Sequence, residues 1–391
     1  MMQKSTPIRI LILTTAYLPQ VGGSELAIKN ITERLPEISF DLITSRPPAG
    51  GSKNLPEYEK IGNINVYRVG NLIGLFSFLL PKNFLPVAVF FKANRLIRKY
   101  GRYNAIHAYQ ASQAAGGGWL LKWIYPSIPF VVTVQEGKVL NQQSLLTRLF
   151  RYFIFRKADS VTVISNYLAQ YVKSQNPKVP VSIIPNGVDL EKFKPSENHI
   201  DSKTIITASR LVEKNGVGDL IEAMEMVSAK IPDARLKIIG DGPLRENFKL
   251  KIENNRAKPS SGLYGHLNLE NKIEFLGEIS NELLPKYLSE ADIFIRPSLS
   301  EGLGTAFLEA MASGLPIIGT PVGGIPDFLK DGETGLFCKV GDSTDIADKI
   351  IKLFEDGELR KRLTENGRKL VEEKYSWDII ANEFDKIYGR L

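Results

Sequence analysis

Two carboxylates, Glu301 and Glu309, flank a glycine-rich turn in the second half of the chain, where residues 297–314 read PSLSEGLGTAFLEAMASG. The apolar run 291–295 precedes the turn and has the pattern of a strand, and a helix pattern over 305–312 follows it. Glycine permits close approach of a ligand, and the start of a helix offers unpaired N–H groups with a partial positive charge. The segment therefore predicts a cradle for a phosphate or another anion.

The spacing of the two carboxylates argues against a glycoside hydrolase. On one continuous helix, eight residues at about 1.5 Å each would separate them by roughly 12 Å. A retaining hydrolase needs its carboxyl groups about 5 Å apart, and an inverting one about 6.5–9.5 Å. The pair is therefore interpreted as two ligand-binding groups. Taken alone, Glu301 is equally compatible with a solvated loop and Glu309 with a helix surface.

The rest of the chain alternates strand and helix patterns in both halves. Strands are predicted over 8–13, 40–44, 64–69, 104–107, 130–134, 160–164, 204–208, 235–239, 273–276 and 291–295. Helices are predicted from 23 to about 35, and over 145–157, 217–229, 244–255, 281–289, 305–312 and 377–388, with one more capped at Ser165. This alternation predicts an α/β protein of two doubly wound, Rossmann-like parallel-sheet domains. Ligands of such sheets bind beyond the carboxyl ends of the strands, so the glycine turns are expected to face one central cleft.

We expect an N-terminal domain over 1–193 and a C-terminal domain over 194–375, with the polar segment 194–203 as linker. Residues 376–391 are expected to form a helix that packs back on the first domain. A length of 391 residues fits two domains. The single cysteine, Cys338, excludes an internal disulfide framework and, with no evident signal peptide, indicates a cytoplasmic protein.

Charge is distributed unevenly along the chain. Residues 1–197 carry 24 Lys and Arg against 11 Asp and Glu, and residues 198–391 carry 26 against 32, which gives net charges of +13 and −6. The basic half predicts an anionic partner, either a nucleic acid or a membrane surface, unless it is merely a basic surface. We find no zinc-ligand spacing or aromatic–basic RNA-binding motif, so a nucleic acid is not expected.

The most apolar stretch, 72–91, precedes five basic residues between 92 and 102. Pro81, Lys82, Asn83 and Pro86 interrupt it, so it is too broken for a spanning helix of about 20 residues. It fits an interfacial element, with the protein peripheral on the inner face of an anionic membrane, or else a buried loop and helix of the first domain.

With these motifs in order, the chain resembles glycosyltransferase family 4, the retaining enzymes of the GT-B fold. The motifs are Gly22-Gly23-Ser24-Glu25, Asn186-Gly187-Val188-Asp189, Arg210-Leu211-Val212-Glu213-Lys214, Gly240-Asp241-Gly242-Pro243 and Glu301 through Glu309. The similarity covers nearly the whole chain and is strongest from about residue 183 to 341.

The resemblance implies that domain 1–193 binds the acceptor and domain 194–375 binds a nucleotide-sugar, and it implies a set of catalytic and donor-binding residues. Arg210 and Lys214 would bind the diphosphate of a nucleotide-sugar and, with Glu301, form the catalytic group. Glu309 would accept hydrogen bonds from the ribose hydroxyls. Gly23 and Gly240 would also contact the donor. Beside the nucleobase would lie Gly277, Glu278 and Ile279. The sugar would be held by Glu301, Gly302, Leu303 and Gly304, and the phosphate by Thr305 and Ala306.

The acceptor side is implied to lie in the first domain. Its candidates are Gly22, Gly23, Glu25, His107, Gln135, Glu136 and Asn186. Many members of the family place a histidine after the strand 130–134, whereas this chain reads Thr133-Val134-Gln135-Glu136-Gly137. Gln135 cannot act as a base, which points to catalysis by positioning and electrostatics. His107 is either a cleft residue or a packed core histidine.

Together these observations predict a retaining, metal-independent glycosyltransferase that moves a hexose-type sugar from a UDP- or GDP-hexose to a carbohydrate or lipid-linked acceptor. No D-x-D motif occurs, so Arg210 and Lys214 are expected to replace a metal ion and no cofactor is expected. The alternatives are another enzyme of this fold, such as an epimerase or a phosphorylase, and a non-catalytic nucleotide-sugar-binding protein.

Overall fold

A computed structural model describes residues 8–19, 22–46, 55–70, 85–111, 113–136, 144–197, 201–255 and 269–390. Residues 72–84 of the predicted interfacial stretch, Gly137 and residues 198–200 of the predicted linker lie outside this part. The chain divides into two units, Met1–Asn186 with Trp377–Leu391, and Gly187–Ser376.

Among the described residues, the first unit contains a sheet of eight strands in the order β3-β4-β2-β1-β5-β6-β7-β8. The strands are β1 Arg9–Leu13, β2 Ser39–Ser45, β3 Tyr58–Ile61, β4 Ile64–Val69, β5 Ala105–Tyr109, β6 Phe130–Val134, β7 Ser160–Val163 and β8 Val181–Ile183. The helices between them are α1 Gly23–Glu33, α2 Leu85–Tyr100, α3 Gln113–Ile124, α4 Leu145–Lys157 and α5 Asn166–Gln175. All described neighbours pair parallel except β3 with β4. Parallel strands are covered on both faces, which explains their nearly continuous apolar sequences.

In the described part of the second unit, six parallel strands lie in the order β11-β10-β9-β12-β13-β14. They are β9 Thr204–Ala208, β10 Arg235–Ile239, β11 Ile273–Gly277, β12 Ile293–Arg296, β13 Ile317–Gly319 and β14 Leu336–Phe337. The helices are α6 Val217–Lys230, α7 Arg245–Asn255, α8 Leu284–Ser289, α9 Thr305–Ala312, α10 Ser343–Glu355 and α11 Gly357–Lys374. A short 3₁₀ helix, Glu213–Asn215, lies between β9 and α6.

The final helix, α12 Trp377–Gly389, completes the core of the first unit. Its buried residues recur at helical spacing and pack with β1, β2 and α1 through Trp377, Ile380, Ala381, Phe384 and Tyr388. Arg34, the residue directly after α1, donates to Asp378 of α12 at 2.8 Å.

Both sheets reverse their strand order next to their first strand. In the first sheet the reversal lies between β1 and β5, and in the second between β9 and β12. The loops that follow the two strands on either side of such a reversal run in opposite directions. The crevice between them is where α/β sheets bind ligands. The turns after β9 and β12 contain the Arg210 motif and the Glu301 motif.

Several local predictions can be compared with the structure. Residues 281–283 form a turn, so α8 begins at Leu284 rather than at 281. The strand β3 was not predicted, because its short sequence Tyr-Glu-Lys-Ile contains two charged residues. Residues 85–91 belong to α2, whose residues Ala88 and Val89 are buried, as the buried-helix alternative predicts. Among the described helices, none is long and apolar enough to cross a membrane.

Candidate functional site

The turn after β9 holds the two predicted cations. Arg210 is exposed and, within the part of the chain that the structure describes, its guanidinium has no hydrogen bond or ion pair. Lys214 lies in the 3₁₀ helix and is half-buried. The side chain of Asn215 donates to the Arg210 carbonyl at 2.6 Å, which closes the turn. The backbone is thus fixed while the Arg210 head group stays available to an anion.

The turn after β12 contains an ion pair between Arg296 and Glu301. Both side chains are nearly buried, with 12% and 10% of their surfaces exposed. The second carboxylate oxygen of Glu301 accepts the Gly302 N–H at 3.0 Å. Glu301 therefore stabilises its own loop in this structure, and a donor sugar would meet the loop backbone as well as this carboxylate.

Two hydrogen bonds join these turns. Arg296 donates to the side-chain oxygen of Asn215 at 3.2 Å, and the Leu299 N–H donates to the Lys214 carbonyl at 2.7 Å. The turn that holds the cations and the turn that holds Glu301 therefore form one connected structure beside the β9–β12 pair.

Two glycines allow this connection. A Cβ at Gly216 would lie 1.9 Å from the Pro297 carbonyl oxygen, and one at Gly323 would lie 1.7 Å from the Glu301 carbonyl oxygen. Both have positive φ angles, 68° and 56°, which suit glycine. The loop of residues 297–301 is therefore held between two backbones that approach it closely.

The helix α9 begins immediately after this loop. Its N-cap, Gly304, has φ 93° and ψ 59° and provides no side-chain cap. The first N–H groups of a helix lack intrahelical acceptors, so those near Thr305 and Ala306 are suited to a phosphate. Leu303 is buried, and Thr305 is half-buried.

Glu309 lies in the second turn of α9 and is partly buried. No hydrogen bond or ion pair of its carboxylate is found among the described residues. Burial raises its pKa from 4.5 to about 7, and the charges of Arg296 and Lys192 lower it in part. A carboxylate that is desolvated and without a partner is suited to accept hydrogen bonds from a ligand.

The ends of β9, β10 and β11 are joined by backbone hydrogen bonds. Ser209 N donates to the Ile239 oxygen at 2.9 Å, and Gly240 N donates to the Gly277 oxygen at 2.7 Å. A Cβ at Gly240 would lie 2.0 Å from the Ser209 oxygen. Gly240 and Gly277 thus lie at the same sheet edge as Arg210. Of the predicted nucleobase contacts, Glu278 is exposed and Ile279 is half-buried.

In the first unit, the structure brings together several of the acceptor-side candidates. Gln135, after β6, donates to the Asn186 side chain at 3.0 Å, and a Cβ at Gly23 would lie 3.8 Å from that same side chain. The Glu25 carboxylate folds over Gly22, where a Cβ would lie 2.7 Å from its oxygen. The turn at residues 22–25, Gln135 and Asn186 therefore form a single polar site.

Glu136 is engaged elsewhere, in an ion pair with the buried Arg151 of α4. Because Gly22, Gly23, Glu25, Gln135 and Asn186 belong to the first unit, the predicted approach of Gly23 to a donor phosphate stays a prediction.

His107 does not lie with these residues, so the prediction that places it on the acceptor side is wrong. Its strand continues to Tyr109, so the histidine is in the middle of β5 and fully buried. Its Nδ1 bonds the Tyr388 hydroxyl at 2.7 Å and its Nε2 bonds the Thr133 hydroxyl at 2.6 Å. Burial lowers its pKa to about 3, so the ring is neutral and structural.

Sequence reasoning missed three residues that shape the sites: Arg296, Asn215 and Gln110. Arg296 ends an apolar strand, and Asn215 belongs to an Asn-Gly pair, a turn signal that does not identify its side-chain partners. Gln110 has a positive φ of 68° and donates to the Ser24 hydroxyl at 3.3 Å, which ties the end of β5 to the start of α1. Within the described residues, no group of three acidic, His or Cys side chains is arranged to hold a metal ion.

Two units, each built on a mainly parallel sheet with helices between the strands, define an α/β protein with two Rossmann-like domains. The model of glycosyltransferase family 4 matches residues 21–192, and the model of glycosyl transferases group 1 matches residues 189–370. The N-acetyl-alpha-D-glucosaminyl L-malate synthase of Bacillus anthracis is 30% identical over 97% of each chain. The chain belongs to glycosyltransferase family 4 and is a glycosyltransferase.

Solved structures show the same fold. Sucrose-phosphate synthase from Thermosynechococcus elongatus superposes with a TM-score of 0.79 at 22% identity, covering 98% of this chain and 99% of the other. The Anabaena protein HepE, in complex with UDP-glucose, has a TM-score of 0.77 at 19% identity and covers 98% of this chain and 100% of its own. The prediction of an α/β protein with two Rossmann-like parallel-sheet domains of the GT-B fold is confirmed.

Proposed function

We propose that the protein is a retaining, metal-independent transferase of a hexose-type sugar from a UDP- or GDP-sugar. The second unit binds this donor, and the basic first unit binds a carbohydrate or lipid-linked acceptor at the surface of an anionic membrane. No resident cofactor takes part.

The connected turns after β9 and β12 carry this proposal. They present Arg210, which has no partner within the described residues, next to a loop that leads into the uncapped start of α9. A diphosphate needs cations and N–H donors, and the ribose beside it needs an acceptor such as Glu309. All of these groups lie at the switch point of one sheet.

Electrostatics supports a reaction without a metal ion. As the bond between the sugar and the diphosphate breaks, negative charge grows on the departing oxygen. Arg210, Lys214 and the N-terminus of α9 would stabilise that charge, which is the role a divalent cation has in other transferases.

The two residues that follow β6 offer no base to the acceptor hydroxyl, which supports attack by positioning and electrostatics. Gln135 cannot accept a proton, and Glu136 is paired with Arg151. In the proposed step the acceptor oxygen bonds to the anomeric carbon on the face that the diphosphate leaves, and the acceptor proton passes to the departing phosphate oxygen. The configuration of the sugar is thereby retained.

The donor class is tested by thermal shift with UDP, GDP, ADP and their sugar conjugates, each with EDTA and with Mg²⁺. Because HepE holds UDP-glucose, UDP-hexoses are the first donors to examine. Binding to the native state raises the melting temperature by mass action. We expect a shift with one nucleotide family that persists in EDTA and is reduced in Glu309→Gln. A shift with inorganic phosphate alone would favour a phosphorylase.

Transfer itself is tested with the donor so identified and a panel of sugar and lipid-linked acceptors, followed by determination of the product's anomeric configuration. Retention of configuration in EDTA is the expected result. Inversion, or a requirement for Mg²⁺, would contradict the mechanism. Binding without transfer to any acceptor would favour a nucleotide-sugar-binding protein.

A further inference from the structure

The first unit exposes a cluster of large apolar side chains on two neighbouring helices, which we call the α3–α4 patch. It consists of Trp123, Ile124, Leu145, Leu149 and Phe153, with exposures of 64%, 54%, 80%, 50% and 45%. On α4 its members are four residues apart and therefore share one stripe. The ring of Trp119 connects the two helices, at 6.4 Å from Phe153 and 6.3 Å from Trp123.

The opposite face of α4 packs into the interior of the first unit. Ile154 and Phe155 are fully buried, and Arg151 is buried in its ion pair with Glu136. A Cβ at Gly116 of α3 would lie 2.6 Å from the Phe150 ring, so the two helices are closely packed. The exposed stripe is therefore additional apolar surface, and contiguous exposed apolar surface indicates an interaction site.

Basic side chains surround the patch. Arg148 and Arg156 are exposed on the same side of α4, and the Lys157 ammonium lies 3.9 Å from the centre of the Trp123 ring. The helices α2, α3 and α4 contain no Asp or Glu. Between Glu59 and Asp159 the sequence has one carboxylate, Glu136, against 14 Lys and Arg.

We propose that the α3–α4 patch docks on an anionic lipid bilayer, with its apolar side chains inserted among the headgroups and its cations against lipid phosphates. This combination of aliphatic and aromatic residues with a basic rim is that of an interfacial helix. A second copy of the patch would bring like charges together, which disfavours self-association. A nucleic acid would leave Leu145 and Leu149 without apolar partners.

This inference deepens the proposed membrane-proximal acceptor by identifying the surface, and it differs from the sequence-based prediction, which placed the contact in residues 72–102. It rests on that proposed function. Vesicle binding is measured without donor or acceptor, so its failure and the failure of sugar transfer are distinguishable.

The test is co-sedimentation of the full chain with vesicles of phosphatidylcholine alone and of phosphatidylcholine mixed with phosphatidylglycerol. We expect binding to the mixed vesicles that weakens with salt. The double variants Leu145→Gln/Leu149→Gln and Arg148→Gln/Arg156→Gln should each reduce partition by roughly tenfold or more. All four positions are exposed, so thermal unfolding should be nearly unchanged.

Matched controls come from the second unit. Leu250→Gln with Leu283→Gln removes two leucines that are 54% and 53% exposed, and Lys361→Gln with Arg362→Gln removes two exposed cations of α11. These controls should bind vesicles as the wild type does. The proposal would be overturned if the patch variants and the controls lost vesicle binding equally, or if the wild type showed no preference for anionic vesicles. The proposal would also be overturned if sedimentation velocity showed that the wild type is a dimer and that only Leu145→Gln/Leu149→Gln dissociates it.

Discussion

The guanidinium of Arg296 pairs with the carboxylate of Glu301 at the carboxyl end of β12, and its positive charge also lowers the pKa of Glu309. One buried cation thus connects the two carboxylates that flank the glycine turn. Arg296 also bonds Asn215, which is one of the hydrogen bonds that join the turn after β9 to the turn after β12.

Replacing Arg296 by Met should affect both stability and the titration of Glu309. Loss of one partner of a nearly buried pair leaves Glu301 uncompensated and should cost about 3–5 kcal/mol in the free energy of unfolding. The double variant Arg296→Met/Glu301→Gln should recover part of that cost. In both variants the Glu309 pKa should rise, which moves the pH midpoint of donor binding upward. Urea unfolding and a binding titration over pH measure the two effects, with Arg235→Met, at an exposed position, as control.

Donor affinity should depend on pH through Glu309. Hydroxyl donors favour the ionised carboxylate, and its pKa in the free protein is about 7, so affinity should increase from pH 6 to pH 8. Glu309→Gln should bind about 10–100-fold more weakly and without this pH dependence, because hydrogen bonds to charged groups contribute about 1.5–3 kcal/mol. Calorimetry should use a nucleotide-sugar, whose diphosphate has no terminal phosphate proton that titrates near neutrality.

The same residue has an opposite effect on stability. Because the folded pKa lies above 4.5, the folded state retains a proton that the unfolded state has lost, and its stability should fall as pH rises from about 4.5 through 7. Glu309→Gln should remove this decline. An unchanged stability profile in the variant would contradict the assigned environment of Glu309.

Arg210→Gln should separate function from folding. The side chain is exposed and has no partner among the described residues, so the free energy of unfolding should change by no more than about 0.5 kcal/mol. If Arg210 stabilises the departing diphosphate, kcat/KM should fall by about 10²–10³. Arg362→Gln, at an exposed position of α11, should leave both quantities unchanged. A fully active Arg210→Gln protein would remove Arg210 from the proposed catalytic group.

Tyr388→Phe should destabilise the protein by about 1–3 kcal/mol, because it leaves the buried Nδ1 of His107 without its partner. Tyr152→Phe is the control. It removes a hydroxyl whose hydrogen bond among the described residues is one accepted from Arg156 at an exposed position. The stability of the wild type should also fall as pH drops below about 6.5. In that range His107 is protonated in the unfolded state but stays neutral in the folded state, where its pKa is about 3. Denaturant titrations at several pH values test both statements, and His107→Gln should flatten the acid decline.

The sequence predicted ten of the fourteen described strands in order, because long apolar runs are local signals, and it missed β3, β8, β13 and β14, which are at most four residues long. The bounds of α4 and α9 agree with the prediction, and Ser144 and Ser165 cap their helices. The helix α3 was not predicted, because its three consecutive glycines are unfavourable in a helix. They are required by tertiary packing: a Cβ at Gly117 would meet Val89 at 2.5 Å and one at Gly118 would meet Phe130 at 2.4 Å.

Side-chain partners were the part that sequence could not provide. Neither the Arg296–Glu301 pair nor the His107–Tyr388 contact follows from local pattern. The first forms across a turn whose shape depends on Gly323, and the second joins residues 281 positions apart. Glu309 was identified by motif, but its raised pKa depends on the burial that only the folded unit provides.

The position of α12 has a consequence for the order in which the protein is made. A ribosome completes the entire second unit before it begins the helix that fills the core of the first. Until then, the sites for Phe384 and Tyr388 beside β1 and β2 remain open, and His107 lacks its tyrosine. The half of the molecule that is synthesised first is therefore the half that finishes folding last, and a stop codon after Ser376 would damage the first unit while leaving the second intact.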